Sequence, residues 1–102
     1  MSLRIVDLAF NVGRTSDGIW RCLENSYGER KIVHMNRTVL MWSIETGEIM
    51  YISKSTENPY RAKGANLLFE ELCLPYRFIV DNEGLWKLNP PPPRHHLNLD
   101  HG

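Results

Sequence analysis

The sequence has no excess of charge of either sign: 12 Lys and Arg stand against 12 Asp and Glu in 102 residues. The two signs are interspersed, so no long-range field draws nucleic acid or an anionic membrane to the chain as a whole, and recognition must be local. No apolar run reaches the ~20 residues that a membrane-crossing helix needs. The opening MSLRIVDLAF is interrupted by Asp7 and lacks both the apolar stretch and the small-residue cleavage site of a secretory leader. A soluble, cytoplasmic protein is expected. Cysteine is scarce, since Cys22 and Cys73 stand alone with no Cys-x-x-Cys pair and no His at ligand spacing. They are expected to be reduced, buried thiols, with no metal and no cofactor. Without secretion, the Asn36-Arg37-Thr38 sequon is read as chance.

Proline is rare until the end, where Pro90, Pro91, Pro92 and Pro93 run together. This divides the chain into a single domain over 1–89, with apolar content for one core, and a proline- and histidine-rich tail over 90–102.

Within the domain, Val6, Leu8, Phe10 and Val12 alternate with Asp7, Ala9 and Asn11, the period of a half-buried strand. In IWRCLENSYGE, Asp17 can cap a short helix or 18–24 can form a strand, and strand is preferred. RKIVHMN adds another short strand, carrying His34. The most informative stretch is RTVLMWSIETGEIMYISKS, where two β-rich runs flank Glu45-Thr46-Gly47-Glu48. Gly47 can take the positive φ of a tight hairpin, placing strands at about 38–45 and 48–54. Strict alternation sets Val39 and Met41 against Leu40, Trp42 and Ile44, and Met50 and Ile52 against Ile49 and Tyr51. Both faces of the hairpin are therefore apolar, and both need cover.

With Trp42 ahead of a turn containing Thr46-Gly47, this hairpin resembles the closing strands of a blade in WD-repeat β-propellers. Ser43 stands where such blades usually have aspartate, and the pattern occurs once, whereas a propeller needs several blades. The likeness therefore implies shared hairpin chemistry and not a propeller.

STENPYRAKGANLLFEELCLP reads as the one helix, capped by Asn58, started by Pro59 and ended before Pro75. Ala62, Ala65, Leu68, Phe69, Leu72 and Cys73 share its inner face, Gly64 weakens it modestly, and Tyr60, Leu67 and Leu74 form a thin outer stripe. A second hairpin turns at Asp81–Gly84, with Tyr76, Phe78 and Val80 on one face and Trp86 and Leu88 on the returning strand. The fold class that follows is α+β: a mainly antiparallel sheet of about five to seven strands with one helix packed on one face, followed by the extended tail.

No motif positions His34, Asp17, Glu24 or Glu29 beside a nucleophile, and the glycines form no phosphate loop, so no enzyme is expected. His34 is read as a strand residue with a hydrogen-bond partner. The leading expectation is a small non-catalytic interaction or regulatory module. It would bind a protein partner, or a second copy of itself as a homodimer, through Met41, Trp42, Met50, Tyr51 and Ile52. Pro90 to Pro93 and Arg94 would add a polyproline contact. His95, His96, His101 and Asp100 lack the fixed spacing of a metal site. The alternative is a nucleic-acid-binding module built on Lys54, Tyr60, Arg61 and Lys63 at the start of the helix, with Arg30, Lys31 and Arg37 extending the strip along the sheet.

Overall fold

A computed structural model describes residues 2–92. A 3-10 helix, Ile5–Ala9, leads into β1 (Gly13–Arg14), β2 (Trp20–Glu24), β3 (Glu29–His34), β4 (Arg37–Ser43) and β5 (Ile49–Ile52). These strands form one antiparallel sheet in chain order. Next come β6 (Ser55–Thr56), the helix α1 (Pro59–Glu71), β7 (Arg77–Val80) and β8 (Trp86–Asn89). The last three strands form a second, small sheet ordered β6-β8-β7. The α+β class and the single helix agree with the sequence reading, but the strands divide between two sheets instead of forming one. No helix among the described residues is long and apolar enough to cross a membrane.

The strand expected at Val6–Val12 is a 3-10 helix, for a local reason. The Asp7 carboxylate accepts the backbone N–H of Arg4 at 3.0 Å and pairs with its guanidinium at 3.1 Å, which closes the chain into a turn. Leu8 and Ala9, adjacent in sequence, are both buried, which strict alternation cannot produce, while Phe10 and Val12 are exposed. Side-chain bonds to nearby backbone outcompete a ladder here.

The sheet's register explains the two-faced hairpin. Cys22, Ile32, Leu40 and Ile52 are paired neighbours across β2 to β5, and each is at most 1% exposed. One residue along, Leu23, Lys31, Met41 and Tyr51 pair in the same way, and alternation turns them to the opposite face. Two bulges correct the strict alternation expected from sequence. Val39 is the extra residue where β4 meets β3, and is buried beside Leu40. Met50 is the extra residue where β5 meets β4, so Ile49 pairs with Trp42, and both pack on the core. A bulge adds one residue to one strand and resets the faces beyond it.

On the inner face α1 packs against the 3-10 helix, β6 and β7, burying Ala62, Ala65, Leu68 and Phe69. Cys73 was expected on this face but is exposed. It lies just past the helix end with φ 57°, a left-handed position that turns its side chain off the buried stripe. Leu74, assigned to the outer stripe, packs instead against the core, while Val80 points outward. Cys22 is buried, and that burial pushes its thiol pKa up.

The start of α1 follows the sequence reading. The Asn58 side-chain oxygen accepts the N–H groups of Tyr60 at 2.9 Å and Arg61 at 3.1 Å, while Pro59 occupies a position whose N–H would have no partner. Asn58→Ala is expected to cost about 1 kcal/mol, measured as a lower urea midpoint with an unchanged slope.

Candidate functional site

The outer face of the first sheet carries a groove of about 1300 Å³. Lys31, Met41 and Tyr51 form its floor, Arg37 and Thr38 one end, and Ser53 to Arg61 the wall, which is the approach to α1 and its first turn. Leu85, from the β7–β8 turn, completes the lining. Two stretches 17 positions apart in sequence, 31–37 and 54–61, thus bring Lys31, Arg37, Lys54 and Arg61 into one concavity, and Glu57 is the single carboxylate in its lining among the described residues.

None of these four cations forms an ion pair with a carboxylate among the described residues, where the basic partners in ion pairs are Arg4, Arg30, Arg77 and Lys87. Arg14, Arg21 and Lys63, outside the groove, also lack ion pairs among the described residues, so what marks the groove is the gathering of four cations around one carboxylate, which makes it locally positive in a chain of zero formal net charge. Arg30, adjacent to Lys31, faces the other way and is held by Glu24 at 3.1 Å and the Phe10 carbonyl at 3.2 Å.

Arg61 is the most constrained of the four. Its Nε–H donates to His34 Nδ1 at 3.0 Å and its Nη1 to the Thr56 hydroxyl at 3.0 Å. Thr56 Oγ1 also accepts the N–H of Asn58 at 3.1 Å, so the guanidinium is tied to the helix cap. Burial first, and the nearby Arg37 second, hold the Arg61 pKa below its ordinary value. Two like charges approaching without a counter-ion form a place where an anion is favoured. His34 is buried and meets Trp20 edge-on, with ring centroids 4.7 Å apart. Burial, then the Arg61 charge, lower its pKa, partly opposed by Asp17. Because Nδ1 accepts from Arg61, the neutral ring carries its proton on Nε2. His34 therefore orients a groove cation, and its close ionisable neighbour is an arginine.

Of the nucleic-acid candidates, the structure places Lys54, Tyr60 and Arg61 in the lining, while Lys63 is exposed on α1 outside it. Of the partner-binding candidates, Met41 and Tyr51 lie in the groove. Trp42 packs against the core, Ile52 is fully enclosed and Met50 is half-buried at its bulge. Pro90 and Pro91 are exposed and Pro92 is half-buried. Pro93, Arg94, His95, His96, Asp100 and His101 lie outside the described residues, as does any contact they make. Among the described residues no three or more His, Cys, Asp or Glu side chains gather as a metal site would require.

Sequence reasoning missed Asn36, Thr38 and Ser53 as groove residues, and no motif marks them. A signal did exist for separating Arg30 from Lys31: adjacent strand residues must face opposite ways. No protein family, curated protein or solved structure matches this chain.

Proposed function

We propose that this protein is a non-catalytic nucleic-acid-binding module whose ligand lies in the groove between the outer face of the first sheet and the start of α1. The supporting observation is the convergence of Lys31, Arg37, Lys54 and Arg61, all without carboxylate partners among the described residues, on one concavity of a chain with zero formal net charge. Polynucleotides present closely spaced phosphates, and neutralising them releases condensed counter-ions, which is the main source of sequence-independent affinity. The hydroxyls of Thr38 and Ser55 in the same lining suit phosphate and sugar contacts. Compared with the apolar-hairpin reading, this one uses more of what lies on the outer face, because Ile52 and Trp42 are turned to the core.

Four phosphate contacts give an expected slope of log K against log salt between about −3 and −4. Labelled oligonucleotides titrated by fluorescence anisotropy at several salt concentrations measure it. Lys31→Glu combined with Lys54→Glu is expected to weaken binding about tenfold or more and to remove roughly two phosphate contacts from the slope. Neither lysine's side chain forms a hydrogen bond or ion pair among the described residues; the bond that Lys54 accepts from the Leu88 N–H is made by its backbone carbonyl. If the double variant binds with wild-type affinity and slope, the groove is not the site.

A protein seated on Met41 and Tyr51 is the second reading, supported by these two half-buried side chains on the outer face. It predicts binding that changes little with salt and survives the double charge reversal.

A further inference from the structure

We infer that the groove is built for single-stranded nucleic acid, with phosphates on its cations and bases turned onto Met41 and Tyr51 and against Tyr60. This rests on the nucleic-acid reading above and adds which form of the polymer fits.

The argument comes from how the lining is divided. A duplex hides the faces of its bases and presents phosphates and groove edges, and proteins that read it insert a helix or ribbon into a groove. This site is itself concave, and its floor is not charged throughout. Met41 lies in the floor between the rows that carry Lys31 and Tyr51, and Leu85 closes the lining from the second sheet. Duplex phosphates laid over Met41 and Leu85 would lose water and gain no polar partner from them, which is unfavourable. A single strand supplies phosphates to the cations and unpaired base faces to the apolar and aromatic side chains between them.

Tyr60 is the second observation. It is 79% exposed on the first turn of α1, in the groove lining and next to Arg61. A large ring left in water beside a row of cations is the arrangement that single-strand sites use, with a stacking platform for a base next to a charged track for the backbone. Stacking reads a π-face that every base has, so recognition is expected to be tolerant of sequence. An acidic peptide would satisfy the cations but would not use the ring.

Anisotropy at one fixed salt concentration tests this with four probes: a thymidine oligonucleotide of about 12 residues, within the range of single-strand site sizes, the corresponding duplex, an abasic strand of equal length, and a glutamate-rich peptide as competitor. The single strand is expected to bind about tenfold or more tighter than the duplex or the abasic strand. Tyr60→Ala is expected to weaken it about tenfold, leaving the duplex affinity unchanged. Tyr60 packs on nothing in the core, so the variant folds. Equal binding of abasic and thymidine strands, or a preference for duplex, overturns the inference and leaves the phosphate-binding reading intact. Displacement by the peptide as effective as by the oligonucleotide also overturns it. If no polynucleotide binds, both readings fall.

Discussion

Gly64→Ala is expected to destabilise the folded chain by about 1 kcal/mol net, although alanine is the better helix former by roughly 1 kcal/mol. Gly64 sits in the middle of α1, where propensity alone calls for replacement. Its missing side chain is filled by Trp20: a Cβ built there would stand 2.4 Å from Cζ2 and 2.9 Å from Cε2 of that ring. The ring has little room to retreat, because Trp20 is buried and meets His34 edge-on. Overpacking a close-packed interior typically costs 1–3 kcal/mol (about twice the propensity gain), so the clash decides the sign. The control is the same substitution in a Trp20→Leu background, where the ring is gone and Gly64→Ala is expected to become neutral or stabilising by up to about 1 kcal/mol. Urea unfolding of the four proteins in that cycle measures it. An additive cycle, with alanine stabilising in both backgrounds, would mean that α1 and β2 do not approach at this point.

The same pair shows how far the sequence could be read. Asn58-Pro59 marked the start of α1 because capping and proline's fixed φ are local properties, and both hairpin turns were legible because Gly47 and Gly84 hold positive φ at the tips. The 3-10 helix and the two bulges were not legible. Each depends on one local bond or one extra residue that the alternation of apolar side chains does not record. Gly64 looked like a weakness in a helix until Trp20, 44 positions earlier, supplied its reason. The groove was half legible. Lys54, Tyr60 and Arg61 are close in sequence, whereas Lys31 and Arg37 join them only through strand pairing, and the separation of Arg30 from Lys31 needed the strand's phase. Strand pairing and the approach to α1 gather four cations around one carboxylate in a chain of zero formal net charge, and composition averages that away.

Arg61→Met is expected to cost about 2 kcal/mol at pH 7, because it leaves His34 Nδ1 without a donor in a buried setting and takes a partner from the Thr56 hydroxyl. Its pH dependence separates this from ordinary loss of packing. In the folded protein His34 lies below the ordinary histidine value of 6.5, through burial first and the Arg61 charge second. The unfolded chain therefore binds the proton first as the solution is acidified. The stability this provides is fully present above about 6.5 and is lost as pH falls toward the lowered folded value. Removing the guanidinium removes part of the cause, so the His34 pKa rises toward normal and the acid-side loss shrinks. The gap between wild type and Arg61→Met is thus expected to be widest near pH 7 and narrower at pH 5, read from urea midpoints at the two values. Asp7, Asp17 and Asp81 do not interfere, because their pKa values are lowered from 3.8 and their contributions are lost only below that. A gap of equal size at both pH values would mean that Arg61 and His34 are not electrostatically coupled. Arg61→Lys discriminates further: it keeps a charge for the groove but not the planar fork that reaches His34 and Thr56 together. It is therefore expected to retain most of the salt slope of ligand binding while losing much of the stability, so that the two roles of this one side chain come apart.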